Sequence, residues 1–394
     1  MNPIPAARRM EHVEYAIRDI VAAGRKLEAT GRKVTYLNIG DPNKFDFAPP
    51  PHVIETFVRA VRDTQASGYA PSEGIPALRE AIAAREKLPV EEVLVTAAMS
   101  EGIQGVFASL LNPGDDVLLP SPCYPLYQAV THLYEGRENL YRCRPKTWEP
   151  DLADVERRVT PKTRLLVVID PNNPTGVVYS EATLKGLVDI ARRRDLPIFL
   201  DQAYDRLTFG PRGADLMALR DDVPVIVGYS MSKVFLYPGA RCGYLAFHGK
   251  ELSEIRDGAI RLGRARLSSN HPVQQAFLAG LTGPMDFLGP TIEKLKRRAA
   301  ITHRRLNTIP GISCVAPQAA FYAFPKLEKT VWKTDQEFVM DLLQSTGILT
   351  VHGSGFSSAL DGQYFRIVFL LPEAELEAAY DAIGKFMGER LGRG

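Results

Sequence analysis

The chain has 394 residues, of which 45% are apolar and 24% charged, and its formal net charge is +2. This length exceeds one simple hydrophobic core and predicts two lobes. The balanced charge argues against a nucleic-acid partner. No window approaches the roughly 20 apolar residues of a membrane span, and residues 1–18 contain no long apolar stretch, so we expect neither a membrane segment nor a secretory signal.

From residue 92 to residue 247, short apolar runs alternate with amphipathic segments. The predicted strands are Glu92–Thr96, Asp116–Leu119, Thr163–Ile169, Pro197–Leu200, Pro224–Val227 and Gly243–Phe247. The predicted helices between them are Gly102–Leu111, Tyr124–Tyr134 and Glu181–Arg193. Continuous apolar strands separated by helices indicate an α/β lobe whose mostly parallel sheet is buried on both faces.

After about residue 285 the pattern changes to a smaller α+β lobe. It contains predicted helices Met285–Leu306, Asp335–Ser345 and Glu373–Leu391, with strands Ile312–Val315, Ala320–Phe324, Leu349–His352 and Phe365–Leu370. The predicted strand Val34–Ile39 has no sequential partner, so we expect the N-terminal stretch to pack on this lobe. The predicted domains are therefore 46–284 (large) and 1–45 with 285–394 (small).

Cysteine and histidine usage predicts a cytoplasmic protein without a metal. The four cysteines are scattered without CxxC spacing, and the seven histidines form no HExxH-like set. Reduced thiols in the cytoplasm are the simplest interpretation.

Polar side chains follow four of the predicted strands. They are Ala97–Ser100, the loop 171–176, Asp201 and Ser230–Lys233. Ligands of open α/β sheets bind beyond the carboxyl ends of the strands. The sequence therefore predicts one shared pocket, the alternative being four unrelated loops.

The segment Ser230-Met231-Ser232-Lys233 is followed eight residues later by Arg241. An amine placed among hydroxyls can condense with an aldehyde, and the hydroxyls and the arginine can hold a phosphate. Pyridoxal 5′-phosphate carries both groups, so this segment indicates that cofactor.

Asp201 ends an apolar strand, where a carboxylate is costly unless it meets a cation. It is either the cap of the next helix or the partner of a pyridinium nitrogen, which it would keep protonated so that the ring withdraws electrons. Ser100 stands where a helix should begin. It is either a simple N-cap or part of a phosphate site built with the amides of Met99 and Ser100.

Arg366 lies inside an apolar strand and must find an anion. It forms either a buried salt bridge or a bidentate clamp on a substrate carboxylate.

Tyr124, in a proline-framed loop, is either a core aromatic or a ring that stacks on a cofactor. Tyr204 and Asn173 can donate to a ring oxygen.

Several segments together resemble the class I/II aminotransferases of the fold-type-I PLP enzymes, and most closely their alanine aminotransferase-like branch. They are Glu14–Arg18, Asn38–Phe47, Gly68-Tyr69 with Gly74 and Leu78-Arg79, the 171–176 loop, Asp201–Tyr204, the Lys233 segment, Leu281–Asp286, Ala320–Tyr322, Val351–Phe356 and Arg366. The resemblance implies a large domain with a seven-stranded, mostly parallel sheet and a smaller α+β domain.

The resemblance also implies a role for each site residue. Lys233 would be the Schiff-base lysine and proton shuttle, and Asp201 would pair with the pyridinium nitrogen. Tyr204 and Asn173 would contact the ring oxygen, and Tyr124 would stack on the ring. The phosphate would be bound by Met99, Ser100, Ser230, Ser232 and Arg241, and the α-carboxylate by Gly40, Asn173 and Arg366. Tyr69 would reach the phosphate of a neighbouring subunit, which implies a homodimer with shared active sites.

The implied reaction is ping-pong transfer of an amino group from an L-amino acid, with alanine favoured, to a 2-oxo acid, with 2-oxoglutarate favoured. Alternatives are an aspartate, aromatic or other aminotransferase, a PLP lyase or decarboxylase, and a non-catalytic sensor. An NAD-linked enzyme is weaker because no GxGxxG follows a strand. Ala240, Met99 and Gln202 depart from the family pattern, and Ala240 and Met99 are expected to border the pocket.

Overall fold

A computed structural model describes residues 3–13 and 16–392 of the chain. Glu14 and Tyr15, which contribute to the resemblance above, lie outside the described residues. The helices are α1 (Ala16–Glu28), α2 (Pro51–Arg62), α3 (Pro76–Glu86), α4 (Met99–Leu110), α5 (Pro125–Leu133), α6 (Leu152–Arg158), α7 (Glu181–Arg193), α8 (Leu216–Leu219), α9 (Met231–Val234), α10 (Ser253–Ala265), α11 (His271–Thr282), α12 (Leu288–Leu306), α13 (Asp335–Thr346) and α14 (Glu373–Leu391). In the described part of the chain, none of these helices is both long and apolar enough to cross a bilayer.

The strands form one large sheet and two smaller ones. They are β1 (Thr35–Tyr36), β2 (Val93–Thr96), β3 (Asp116–Ser121), β4 (Arg137–Arg142), β5 (Thr163–Ile169), β6 (Ile198–Asp201), β7 (Val225–Ser230), β8 (Gly243–His248), β9 (Ile312–Ser313), β10 (Tyr322–Ala323), β11 (Lys326–Leu327), β12 (Ile348–Leu349), β13 (Val351–His352) and β14 (Gln363–Val368).

The large sheet has seven strands in the order β2-β8-β7-β6-β5-β3-β4. Its strand pairs are parallel except those of β8, which runs antiparallel to both β2 and β7. Every residue of β2, β6, β7 and β8 is buried. The continuous apolar runs are therefore explained by a sheet covered on both faces, and the predicted fold class is confirmed.

The C-terminal part forms a sheet in the order β10-β14-β11-β9, with β13 also paired to β14. The N-terminal strand β1 pairs in parallel with β12, and the Val368 amide donates to the Leu37 carbonyl oxygen at 2.8 Å. The lone strand near the N-terminus thus finds its partner more than 300 residues away. The division of the chain at residues 45 and 285 stays a prediction.

Several predicted strands differ from the observed ones; Val34–Ile39, for example, shortens to β1 and Ile312–Val315 to β9. The run Leu349–His352 is broken into β12 and β13 at Thr350. The predicted strand Ala320–Phe324 shortens to β10, because Ala320 has a φ of 57° and turns the chain. The edge strand β4 was not predicted, since its residues Arg137–Arg142 include no continuous apolar run.

Candidate active site

A cavity of about 500 Å³ lies where the carboxyl ends of the parallel strands face the smaller sheets. The loops that follow β2, β5, β6 and β7 all contribute to its wall, so the four polar sets belong to one site. Its lining includes Gly40, Met99, Ser100, Tyr124, Asn173, Asp201, Tyr204, Ser230, Ser232, Lys233, Arg241 and Arg366.

Lys233 is held on a single helical turn directly after β7. Ser230 caps this turn, because its Oγ accepts a hydrogen bond from the Ser232 amide at 3.2 Å and lies 2.8 Å from the Ser232 Oγ. The Lys233 Nζ donates to the Gly40 carbonyl oxygen at 2.8 Å. A side chain at Gly40 would collide with the Tyr322 hydroxyl, so this close approach requires a glycine. The amine is therefore placed inside the cavity by local backbone geometry.

The start of α4 and the start of β8 form a concave, positively polarised wall. Helix α4 begins at Met99 without a side-chain cap, so its first amides point outward from a positive helix end. The Arg241 Nη2 donates to the Ser100 Oγ at 2.9 Å. An ideal Cβ at Gly243 would lie 2.9 Å from the Met99 amide nitrogen, so only glycine lets β8 approach this helix start. Amides, hydroxyls and a guanidinium together suit a phosphate group.

Asp201 is the last residue of β6 and is only 3% exposed. Its Oδ2 accepts from the Tyr127 hydroxyl at 2.9 Å and its Oδ1 from the Ala203 amide at 3.0 Å. Burial raises the pKa of Asp201 to about 6, although the hydrogen bonds from Ala203 and Tyr127 act in the opposite direction. No described residue forms an ion pair with it. The bond to Ala203 is a local turn contact. Asp201 also lines the cavity, where a protonated ring nitrogen would supply the missing opposite charge.

Arg366 is 1% exposed and lies between two aromatic rings, with its guanidinium carbon 4.6 Å from the Tyr322 centroid and 4.8 Å from the Phe356 centroid. Its Nη1 donates to the Asn173 Oδ1 at 3.1 Å and its Nη2 to the Asn38 carbonyl oxygen at 2.7 Å. These contacts fix the plane of the guanidinium at the cavity wall. A planar fork held in this way suits a carboxylate.

Tyr204 and Tyr322 form a second hydroxyl pair, with their oxygens 2.8 Å apart. Both rings line the cavity. Burial raises the pKa of both hydroxyls, so they remain protonated donors at neutral pH.

Tyr69 is the one predicted site residue outside this cavity, and it is 84% exposed. Of the two departures expected at the pocket, Met99 lines the cavity, whereas the wall beside Arg241 is formed by Pro238 and Gly239 and not by the buried Ala240.

Sequence reasoning assigned no role to Tyr127, Tyr322 and Lys44. The only signal for Tyr127 was its position one helical turn after Tyr124.

Comparison with known proteins agrees with this arrangement. A profile of the family described as aminotransferase class I and II matches residues 32–383. The chain belongs to this family. It is 36% identical to the alanine aminotransferase of Mycobacterium tuberculosis over 96% of the chain and 91% of that protein. It is 34% identical to the glutamate-pyruvate aminotransferase AlaA of Escherichia coli over 98% of both.

Among solved structures, the alanine aminotransferase of Pyrococcus furiosus superposes with a TM-score of 0.95 at 45% identity, covering 98% of this chain and 100% of that chain. As a class I and II aminotransferase, the protein is a PLP-dependent enzyme whose substrates are an amino acid and a 2-oxo acid. Membership confirms the resemblance and decides against an NAD-linked enzyme. The anion site, the buried carboxylate and the amine described above are groups that PLP requires.

Proposed function

We propose that this aminotransferase moves the amino group of L-alanine to 2-oxoglutarate. One observation carries the proposal. Lys233 and Arg366 line the same cavity, and both donate hydrogen bonds to the backbone of one short segment, residues 38–40. Asn38 accepts from Arg366, and Gly40, two residues later, accepts from Lys233. An amino acid whose carboxylate binds Arg366 would therefore present its Cα close to the reacting amine. The names of the relatives from Mycobacterium tuberculosis, Escherichia coli and Pyrococcus furiosus favour alanine and glutamate.

The cofactor would be held by residues from both sides of β7. Ser100, Ser230, Ser232, Arg241 and the first amides of α4 would bind its phosphate, Asp201 its ring nitrogen, Tyr204 and Asn173 its ring oxygen, and Tyr124 the face of its ring. When bound, PLP withdraws electrons from the substrate Cα through its protonated ring. Asp201 supports this by carrying the negative charge that the ring nitrogen needs.

Lys233 would be the general base of the reaction. Its Nζ lies in the cavity beside Gly40 and 5.5 Å from the Phe321 ring centroid. The Phe321 ring and the Gly40 carbonyl oxygen hold the amine on the side of the cavity where Arg366 would bind the substrate carboxylate. In this position the Nζ can take the proton of the substrate Cα and release it again within the same cavity.

The substrate proposal is tested by mixing the PLP form with single amino acids and following the cofactor absorbance in single turnovers. We expect alanine and glutamate to convert the cofactor to its amine form with release of pyruvate and 2-oxoglutarate, and aspartate and tyrosine to react at least about tenfold more slowly. Fast aspartate or aromatic turnover with slow alanine would overturn the substrate assignment. Release of ammonia or carbon dioxide would instead identify a lyase or a decarboxylase.

The enzyme is further proposed to work as a homodimer in which Tyr69 reaches the phosphate of the other subunit. A tyrosine that is 84% exposed in a single chain is explained if a second copy covers it. Mixing Lys233→Ala and Tyr69→Ala subunits should restore about a quarter of the wild-type activity, because each hybrid dimer contains one intact site. Failure of the mixture to exceed either parent would contradict shared sites, provided that light scattering shows dimers of 43.6 kDa subunits.

The cytoplasm is the proposed location. The four cysteines are buried and form no disulfide with one another, which is consistent with a reducing compartment.

A further inference from the structure

A cluster of charged and aromatic side chains lies on the face of the large sheet that α11 covers, outside the lining of the cavity. Tyr229 of β7 precedes Ser230, and neighbouring residues of a strand point to opposite faces, so the Tyr229 ring points away from the side that Ser230 occupies. The ring stacks on Tyr244 of β8, with centroids 5.3 Å apart, and on Phe277 of α11. Helix α3 packs against α11 and brings Arg85 to this cluster.

Arg85 contacts every part of the cluster. Its guanidinium carbon lies 4.3 Å from the Tyr229 ring centroid, its Nη2 donates to the Asp205 Oδ2 at 2.6 Å, and its Nε donates to the Glu86 Oε1 at 3.1 Å. The Glu86 Oε1 also accepts from the Tyr244 hydroxyl at 2.5 Å. One guanidinium therefore connects helix α3, the ends of β7 and β8, and the loop that carries Asp205.

The Asp205 carboxylate depends on Arg85 as its counter-ion. Its side chain is 12% exposed, and among the described residues only Arg85 forms an ion pair with it. Burial raises the pKa of Asp205, and Arg85 has the largest effect in the opposite direction, ahead of Arg206. Loss of the Arg85 guanidinium would leave a largely buried carboxylate without its partner, which is costly.

Asp205 belongs to the same turn as two of the proposed cofactor contacts. Asp201 begins this turn, Tyr204 directly precedes Asp205, and the Asp205 amide donates to the Gln202 carbonyl oxygen at 3.2 Å. Asp201 and Tyr204 line the cavity, whereas Asp205 lies outside its lining. The ion pair with Arg85 therefore restrains, from outside the cavity, the backbone that carries Tyr204.

We propose that Arg85 is a positioning residue for the cofactor: by binding Asp205, it keeps the Tyr204 hydroxyl where it can donate to the ring oxygen. This inference rests on the cofactor contacts of the proposed function. Arg85 does not line the cavity, so its effect must pass through Asp205 and the turn. A hydroxyl that donates to an ionised ring oxygen favours the ionised form, and a displaced hydroxyl favours it less.

The pH at which the visible absorbance of bound PLP changes measures this effect. In Arg85→Met we expect this pH to rise by about one unit, a tenfold change in the proton equilibrium, because the ionised ring oxygen loses part of its hydrogen bond. Arg85→Lys should recover part of the shift, since it keeps the charge but not the planar fork. Asp205→Asn removes the same ion pair at constant volume, so it should reproduce the shift and carries the test if Arg85→Met does not fold.

A double-mutant cycle separates positioning of Tyr204 from general stabilisation. Tyr204→Phe alone should raise the same pH, and adding Arg85→Met to Tyr204→Phe should change it by less than about 0.3 units, because the arginine acts through that hydroxyl. Arg256→Met is the matched control: Arg256 is 20% exposed, against 19% for Arg85, and pairs with Glu92 outside the cavity lining. It should lower the melting temperature without moving the absorbance.

Binding to the cofactor-free protein provides a readout that needs no reaction and no bond to Lys233. Pyridoxine 5′-phosphate has the ring and the phosphate of PLP but no aldehyde, so its affinity reports the non-covalent contacts alone. We expect Arg85→Met to weaken this affinity about tenfold, the effect of one hydrogen bond to a charged group. The affinity for inorganic phosphate should change less than about twofold, because the anion site does not include the turn.

The role of Arg85 would be overturned if Arg85→Met and Asp205→Asn both left the absorbance unchanged, or if Arg85→Met shifted it equally in the Tyr204→Phe background. Equal losses of affinity for pyridoxine 5′-phosphate and for inorganic phosphate would overturn it as well, since they would reflect a general disturbance. A Tyr204→Phe variant without any shift would instead refute the contact of Tyr204 with the ring oxygen in the proposed function, and the role of Arg85 with it.

Discussion

Replacing Lys233 with alanine is expected to remove the visible absorption band of the bound cofactor and to lower turnover by about 10⁴-fold or more. The reason is that the Nζ beside Gly40 is the only amine in the cavity apart from the exposed Lys44, among the described residues. Its loss removes both the covalent attachment and the base. Absorption spectra and single-turnover rates with alanine measure the two effects separately.

Two controls make this result interpretable. Lys44→Ala removes the other amine of the cavity and should keep the visible band. Small primary amines added to Lys233→Ala should restore part of the rate, because they supply the missing base without the side chain. Retention of both the band and the turnover in Lys233→Ala would refute the assignment of Lys233.

The second large effect is expected at Asp201. Asp201→Asn removes the buried negative charge that would pair with the ring nitrogen, and breaking such a buried pair costs about 3–5 kcal/mol. We therefore expect cofactor affinity or kcat/KM to fall by about 10²–10³-fold, measured by equilibrium titration with PLP and by steady-state kinetics. Unchanged PLP affinity and unchanged kinetics would mean that Asp201 only stabilises the local turn through its hydrogen bond with the Ala203 amide.

Stability of the cofactor-free protein provides the control for folding. Because burial raises the pKa of Asp201 from 3.8 to about 6, the folded state binds this proton more tightly than the unfolded state. Stability is therefore lost as the pH rises from about 4 to 6, and above pH 6 the charged carboxylate costs roughly 3 kcal/mol. Asn has no charge to bury, so apo Asp201→Asn should unfold at a temperature no lower than apo wild type at pH 7.5.

Tyr127→Phe offers a graded version of the same experiment. It keeps the carboxylate but removes the hydrogen bond at 2.9 Å that favours its charged form. The pKa of Asp201 should rise further, and the acidic limb of cofactor association should move to higher pH. Tyr127→Phe should therefore bind PLP better than Asp201→Asn at pH 8 and lose this advantage as the pH falls.

The sequence was sufficient for the features that depend on local pattern. Thr163–Ile169 and Glu181–Arg193 were predicted with their observed bounds, because one is uniformly apolar and the other has a clear helical face. The strand-end rule correctly brought Asp201 and Lys233 into one cavity, since parallel strands end at the same edge. These predictions required no knowledge of contacts between distant segments.

What the sequence could not supply depends on such distant contacts. Tyr127 looks like any core aromatic of a helix, and only the packing of α5 against β6 shows that its hydroxyl meets Asp201. Lys44 looks like any surface lysine, since only the path of its segment past Arg366 and Lys233 places it at the cavity. The partner of Thr35–Tyr36 is equally invisible, because β12 lies at the far end of the chain.

The antiparallel strand β8 has a consequence for how the site tolerates change. Strand β8 is antiparallel to its neighbour β7, so it begins at the end of the sheet where β7 stops. One short connection between the two strands therefore carries or adjoins Ser230, Lys233 and Arg241. Arg366 belongs to a different sheet. We therefore expect an insertion between β7 and β8 to separate the groups that would hold the cofactor.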